Sequence, residues 1–449
     1  MKRKVKIDIK NLIVICIITL LSIITNFFIK KTIIGILVLY AIIYAIFLIY
    51  SYIRLKSLKK MILSAEVIFE TVFFMYSVPA AIMFVLDGYQ PRVTFFLIDT
   101  DTILRTLLLY FNINCILLIL MLINNIKTIE LTESEIEQKF STNIKFDIWD
   151  AIALITTIYF VYLYLRNGLE IFSSYFHTIR ELIQSNIHNF NSYIYLFMIP
   201  YSFINIGKII YENKENVRNI GKQRKTKKIF LYFILILFWG FSVLTDRRNL
   251  INLLMMILMI YVLKIKKIGL KRMLAIFVII ILFLSKSYFR SGTNSKNIND
   301  IIFLSNGEFI LSHYVSEYYI NNCDKDLKYG STYIYDTLVS WIPKSVYKNK
   351  PEMLSNKFKE DAKTNVAYAF NPVAEGLINF GEKGALFLVP LTIYIYIKIA
   401  YILRKKSFLY YIVICAYSIN IFRGIFSTSV FAISVMLLFT FAMLTKIKK

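Results

Sequence analysis

Residues 11–29, NLIVICIITLLSIITNFFI, form a stretch without a single charged side chain, and similar stretches recur along the whole chain. A helix needs roughly 20 apolar residues to cross a hydrocarbon core of about 30 Å. Because lipid offers no partners for backbone polar groups, helices rather than open strands are expected. The 449-residue chain is 57% hydrophobic, whereas soluble domains are about 45–50% apolar. The sequence therefore predicts an all-α polytopic membrane protein.

About twelve transmembrane helices are predicted, in a single integral membrane domain that covers residues 1–449. Both termini are predicted to be cytoplasmic, because most of the 53 basic residues then fall in inner segments such as 54–60, 212–228 and 264–272. This asymmetry is the positive-inside pattern. It explains most of the +25 net charge, so no nucleic-acid partner is expected. The approximate cores of the predicted spans are 11–29, 32–52, 65–87, 103–123, 149–166, 192–211, 229–244, 250–264, 273–289, 383–403, 408–422 and 428–445.

Two long segments face the outside in this topology. Residues 167–191 carry apolar side chains at helical spacing, which predicts an extracytoplasmic loop with an interfacial helix on the membrane surface. Residues 290–382, between spans nine and ten, form a large extracytoplasmic loop that mixes polar and aromatic residues. Loops of this length are usually functional or disordered, and the aromatic content argues against disorder.

The stretch TDRRNLINLL, residues 245–254, brings two arginines to the predicted outer membrane boundary. Arg247 and Arg248 precede span eight, and Arg290 follows span nine. A guanidinium group matches phosphate oxygens bidentately and stays charged at any relevant pH. Three such groups at one membrane level predict a site for a pyrophosphate whose lipid tail remains in the bilayer. The alternative is that they anchor helices at the interface or form ion pairs, for example with Asp246.

The stretch FNPVAEGLINFGEKGALFLVP, residues 370–390, leads into span ten. Gly381 and Gly384 permit a close backbone approach or a break in the helix. Glu375 lies where the predicted loop meets the membrane, and a carboxylate in that position is suited to general-base catalysis. The alternative is a salt bridge from Glu375 to Lys383 or to one of the arginines.

Two carboxylates, Glu66 and Glu70, lie one helical turn apart in predicted span three. Intramembrane carboxylates are costly and often mark ion pathways, although these two could also pair with Lys59 and Lys60. The whole chain has three histidines and four cysteines, and three of the cysteines lie inside predicted spans. This set of residues does not predict a metal site. A charged cluster at the outer start of span four predicts either local ion pairs or the rim of a sugar site: Asp99, Asp101 and Arg105.

Two stretches resemble the Wzy-type polymerases that extend O-antigen and related polysaccharide repeat units. IPKSVYKNKP (342–351) followed by NPVAEGLINFGEKG (371–384) resembles the end of the large outer loop in that family. TDRRNLINLL resembles the short arginine-bearing turn that precedes a span. The resemblance covers roughly residues 240–390, and the first half of the chain is similar only in general hydropathy.

The resemblance implies a membrane glycosyltransferase without a cofactor on the outer face of the bacterial cytoplasmic membrane. The donor and the acceptor would both be oligosaccharides linked to undecaprenyl pyrophosphate. Membrane lipids would surround the enzyme, and a chain-length regulator would be a candidate protein partner. Arg247, Arg248 and Arg290 are expected to stabilise the leaving pyrophosphate. Glu375 is expected to activate the acceptor hydroxyl, with His313 as the second choice. His313 precedes Glu317 by four residues. The alternative interpretation of His313 is a surface residue that takes no part in catalysis.

Two other functions are compatible with the sequence. A ligase that moves a finished glycan onto a lipid core or a protein would share all of these features. A flippase or transporter of lipid-linked oligosaccharide would also need about twelve spans, but such exporters generally have short connections. The long segment 290–382 therefore favours a polymerase.

Overall fold

The computed structural model describes residues 8–87, 99–124, 147–166, 190–211, 247–264, 298–322, 327–342, 346–347, 350–351, 354–363 and 370–445. All regular elements within these ranges are helical, which confirms the predicted all-α class. The first half contributes α1 (Ile9–Ile24, extended by a π-helical turn, Thr25–Ile29), α2 (Ile33–Leu55), α3 (Leu58–Ile62), α4 (Ala65–Ser77), α5 (Pro79–Asp87), α6 (Thr100–Ile123), α7 (Ile148–Arg166) and α8 (Phe190–Tyr211). The second half contributes α9 (Arg247–Lys264), α10 (Ile298–Asn322), α11 (Ser331–Ser340), α12 (Leu354–Asp361), α13 (Pro372–Arg404), α14 (Phe408–Ala416), α15 (Ser418–Phe422) and α16 (Phe426–Thr445).

Six helical segments in the described part of the chain are long and apolar enough to cross a membrane, which indicates a multi-pass membrane protein. They coincide with predicted spans one to four, ten and twelve. Shorter apolar helices coincide with parts of spans five, eight and eleven, and α8 coincides with span six. Predicted spans seven and nine lie outside the described residues, so the number twelve stays a prediction. The six segments are Ile9–Ile29, Ile33–Leu55, Ala65–Leu86, Thr100–Ile123, Pro372–Arg404 and Phe426–Thr445.

Polar contacts join the helix ends at each end of the bundle. At one end, Arg54 at the end of α2 pairs with Asp8 at the start of α1, at 2.8 Å. At the same end, the Lys59 ammonium donates to the carbonyl of Leu263 near the end of α9. This is the end that the distribution of lysine and arginine predicts to be cytoplasmic.

At the opposite end, the start of α6 contacts the end of α10 and the outer part of α13. Arg105 forms an ion pair with Glu382, and the Asn321 amide donates to the Thr102 hydroxyl at 2.7 Å. Because α9 ends beside Lys59 at the first end, its first residue, Arg247, lies toward this second end. The predicted topology, with both termini cytoplasmic, stays a prediction.

Helix α10 is part of the bundle, although it comes from the predicted outer loop 290–382. It packs against α4, α5, α6 and α13, and nearly all of its side chains between 309 and 320 are buried. The side of the membrane on which the rest of 290–382 lies stays a prediction. The predicted interfacial helix at 167–191 falls almost entirely outside the described residues, and only its last two positions belong to α8.

Helix α13 breaks at Gly381, as the glycine pattern predicted. Gly381 has a φ of 67° and a ψ of −169°, a backbone conformation that L side chains rarely adopt. The part before the break, 372–380, folds back on the part after it, because an ideal Cβ at Gly376 would lie 2.9 Å from the Cα of Ala385. At 1.5 Å per residue, the folded-back helix places its first residue roughly 14 Å inward from Gly381. Residues 372–380 therefore form a re-entrant helix.

The two carbonyls left open at the break receive backbone donors from residues 327–330. The Lys328 N–H donates to the carbonyl of Ile378 and the Tyr329 N–H to the carbonyl of Asn379, each at 3.0 Å. The Asn379 side chain completes the junction by accepting from the Gly330 N–H at 2.9 Å. Helix ends inside a bundle need such partners for their last carbonyls.

Replacement of Gly376 by alanine is expected to destabilise the protein by about 1–3 kcal/mol, the usual cost of overpacking a tight contact. The added Cβ would meet the Ala385 backbone, which cannot rotate away. The measurement is the thermal unfolding midpoint of the detergent-solubilised protein. The wild-type protein is the reference. An unfolding midpoint of Gly376→Ala equal to or above that of the wild type would contradict the re-entrant packing.

Candidate functional site

Asn371 fixes the buried start of the re-entrant helix. Its Oδ1 accepts from the Ala374 N–H at 2.8 Å, which is the hydrogen bond of a helix N-cap. The same oxygen accepts from the Ser316 hydroxyl of α10 at 3.0 Å, and the Asn371 amide donates to the Ser312 carbonyl. The re-entrant helix is therefore tied to α10 deep inside the bundle, where Asn371 is 3% exposed.

His313 and Glu317 form a buried pair on α10 beside this junction. His313 Nδ1 lies 2.7 Å from Glu317 Oε1, and both side chains are fully buried. The ring of Tyr110 on α6 stacks on the imidazole with 4.6 Å between centroids, and the Tyr110 hydroxyl lies 3.0 Å from that of Ser316. The alternative interpretation of His313 as a surface residue is therefore wrong, because α10 belongs to the bundle.

The remaining polar atoms of this pair are buried without a partner in the described part of the chain. Neither His313 Nε2 nor Glu317 Oε2 has a hydrogen-bond partner among the described residues. A carboxylate that holds one imidazole nitrogen fixes the tautomer and leaves the other nitrogen able to accept a proton. The geometry is that of a general base with its orienting carboxylate.

Glu375 does not form the salt bridge that its alternative interpretation predicted. Its Oε1 accepts from the Thr332 hydroxyl at 2.8 Å, and its Oε2 accepts from the Phe426 N–H at 2.7 Å. Phe426 is the first residue of α16, so the carboxylate satisfies an open donor at a helix N-terminus, where negative charge is favourable. Within the described residues Glu375 forms no ion pair with Lys383 or with an arginine.

A narrow cavity of about 10 Å³, roughly the room of one water molecule, lies against Glu375. Tyr333 of α11 and Tyr396 of α13 line it, and neither phenol has a hydrogen-bond partner in the part of the chain that the structure describes. Burial raises the pKa of Tyr333, so its hydroxyl keeps its proton. Glu375 and two phenolic donors thus border one small space.

Two of the three predicted pyrophosphate ligands fall within the described part of the chain. Arg247 and Arg248 are the first described residues of α9, and the residues before them lie outside the described ranges. Arg290 lies outside the described residues, so its distance from the pair stays untested.

The charged cluster at the start of α6 has structural partners. The Asp99 side chain caps the helix by accepting from the Thr102 N–H at 2.7 Å, and the hydrogen bonds from Thr102 lower the pKa of Asp99. Arg105 reaches across to Glu382 of α13. Among the described residues Arg105 therefore pairs with a distant helix and forms no ion pair within the cluster, and the rim of a sugar site stays a prediction. Among the residues with defined positions, no group of three histidine, cysteine or acidic side chains could hold a metal ion.

Sequence reasoning missed the residues that connect the site: Tyr110, Ser316, Thr332 and Asn371. Of these, Asn371 had a usable signal, because asparagine directly before proline is typical of a helix N-cap followed by its first residue. Tyrosine, serine and threonine inside apolar helices give no comparable pattern. No protein-family model, curated protein or solved structure matches the chain.

Proposed function

We propose that this protein is a polysaccharide polymerase that joins lipid-pyrophosphate-linked oligosaccharide repeat units on the outer face of the bacterial cytoplasmic membrane. The observation that carries the proposal is the buried pair of His313 and Glu317, with Nε2 unoccupied within the described residues. A base of this kind has a clear use in glycosyl transfer, where an acceptor hydroxyl must lose a proton as it attacks. The resemblance of residues 240–390 to Wzy-type polymerases supports the same reaction.

In the proposed reaction, the acceptor sugar hydroxyl gives its proton to His313 Nε2, and its oxygen bonds to the anomeric carbon of the donor chain. The bond from that carbon to the phosphate oxygen breaks, and undecaprenyl pyrophosphate leaves with the electron pair. The negative charge on the leaving group requires cations already in place. Arg247, Arg248 and Arg290 are proposed for this role.

Glu375 is a weaker choice for the base than the sequence suggested. Each of its oxygens already accepts a hydrogen bond, and these bonds tie together the re-entrant helix, α11 and α16. We assign it a positioning role, in which it holds one wall of the cavity in place. The carboxylate keeps further acceptor capacity, so the assignment is tested below by comparison with His313.

The proposal includes the substrates and surroundings of the enzyme. The donor and the acceptor are undecaprenyl-pyrophosphate-linked oligosaccharides, and their lipid tails remain in the bilayer around the bundle. A chain-length regulator in the same membrane is the proposed protein partner. The apolar side chains exposed on the outside of α1 and α2 suit contact with lipid, for example Ile13, Leu20 and Ile49.

Deletion of the gene, followed by analysis of the surface glycan, separates the polymerase from its alternatives. A polymerase mutant is expected to display single repeat units, because export and ligation continue without elongation. A flippase mutant would display no glycan, and a ligase mutant would accumulate long chains on the lipid carrier. Complementation with the wild-type chain is the control. Long chains on the surface of the deletion strain would contradict the proposed function.

A further inference from the structure

A second group of buried polar side chains lies between α2, α4 and α6, apart from the His313 pair. Glu70 of α4 and Tyr40 of α2 are fully buried, and Asn114 of α6 is 1% exposed. The Asn114 amide lies beside the Glu70 carboxylate, and Glu70 acts electrostatically on Tyr40. Three neighbouring helices therefore direct polar groups to one place in the apolar interior.

The polar atoms of this group lack partners. Both Glu70 oxygens, both polar atoms of the Asn114 amide and the Tyr40 hydroxyl have no hydrogen bond to any of the described residues. Across the same residues, no lysine, arginine or histidine forms a salt bridge with Glu70. A buried carboxylate without a partner is strongly unfavourable, so a ligand or a proton must compensate it.

We propose that Glu70, Asn114 and Tyr40 bind a monovalent alkali cation, for which Na⁺ is the probe. The three side chains offer four oxygen atoms, the ligand type that hard cations prefer. The Ser77 hydroxyl, which donates to the Phe73 carbonyl at 2.6 Å, adds a fifth oxygen near Tyr40. A single carboxylate balances one positive charge, whereas calcium takes 6–8 oxygen ligands.

The competing explanation is a neutral, protonated Glu70 that is hydrogen-bonded to Asn114. A carboxylic acid and an amide can form two complementary hydrogen bonds, but the adjacent side chains form none with each other. The Asn114 amide is close enough to act on the Glu70 carboxylate, although none of these polar atoms meets hydrogen-bond geometry with a described residue. An ion between them would satisfy Glu70, Asn114 and Tyr40 together.

The test measures binding of ²²Na⁺ to the purified full chain in detergent micelles, with choline chloride replacing NaCl at constant ionic strength. Saturable binding of about one ion per chain is expected for the wild type. Glu70→Gln keeps the size of the side chain and removes its charge, so binding should be abolished. Tyr40→Phe removes one oxygen and should weaken affinity by at least about tenfold, the lower range for losing even an outer-shell partner of a metal site. Glu382→Gln, which removes a carboxylate at the other end of the bundle, should bind as the wild type does.

Absence of saturable ²²Na⁺ binding to the wild type would overturn the proposal in favour of a protonated Glu70. Equal binding by Glu70→Gln would overturn it as well, because the ion would then be bound elsewhere. If the Glu70→Gln variant fails to insert into the membrane, the Tyr40→Phe variant tests the site. Unchanged Na⁺ affinity in Tyr40→Phe would then contradict the proposal. As a second readout, NaCl should raise the thermal unfolding midpoint of the wild type above its value in choline chloride. The assay involves no glycan, so its result is independent of the proposed polymerase activity.

Discussion

Replacement of His313 by alanine is expected to reduce glycan polymerisation per membrane-inserted protein by roughly 100- to 10,000-fold, the usual contribution of a general base. The imidazole is the one group in the site with an orienting carboxylate on one nitrogen and an unoccupied second nitrogen within the described residues. Polymerisation is measured as the distribution of repeat-unit number in the surface glycan of a complemented deletion strain. Glu317→Gln should lower activity too, because an amide no longer fixes the tautomer of His313.

Two comparisons make the His313 result specific. His188→Ala, which changes a histidine of the predicted segment 167–191, should retain long glycan chains. Glu375→Gln keeps the size of the side chain but weakens the contact with the Phe426 N–H, so a positioning residue predicts a lower unfolding midpoint and a partial loss of activity. Normal chain length in His313→Ala, together with complete loss in a stably inserted Glu375→Gln, would make Glu375 the base.

The apolar helices of the fold were predictable from the sequence because each one carries its own signal. The stretch at 11–29 reappears as the segment Ile9–Ile29, and predicted span ten, 383–403, begins just after the break at Gly381. Hydropathy is a local property, and a helix surrounded by lipid must be apolar along most of its surface. The break itself was also predictable, since glycine tolerates the positive φ that the turn requires.

Helix α10 could not be identified as part of the bundle from its sequence. It contains Ser312, His313, Ser316 and Glu317 on buried positions, and this composition is typical of a loop rather than of a membrane helix. Ser316 is tolerated inside because Tyr110 and Asn371 supply partners from distant parts of the chain, and His313 and Glu317 pair with each other. Long-range pairing of this kind leaves no periodic pattern in either partner.

The contacts of Glu375 could not be predicted from the sequence either. Its position before a membrane span indicated a catalytic carboxylate or a salt bridge to Lys383 or to one of the arginines. The structure shows partners 43 and 51 residues away, Thr332 and Phe426. The kind of contact, a hydrogen bond to the start of another helix, depends on how the re-entrant helix packs, and that packing is a property of the fold.

Lysine substitution of the arginines is expected to lower activity even though the charge is kept. Arg247 and Arg248 lie in the first described turn of α9. Lysine lacks the planar two-pronged donor that matches phosphate oxygens. Loss of a charged hydrogen-bond contact in a dehydrated site costs roughly 2–5 kcal/mol, which corresponds to about 30- to several-thousand-fold in rate. Each alanine variant should therefore lose more activity than its lysine counterpart.

An arginine that only anchors a helix at the membrane interface would respond differently to these substitutions. The experiment measures this difference. Lysine reaches the membrane surface as well as arginine does, so an anchoring role predicts full activity for Arg→Lys and a lower protein level for Arg→Ala. Polymerisation per inserted protein is compared for the lysine and alanine variants of Arg247, Arg248 and Arg290. Adjacent residues at a helix start point about 100° apart, so one of the pair is expected to bind the pyrophosphate with Arg290 and the other to serve as an anchor. Full specific activity in all three lysine variants would exclude the pyrophosphate site.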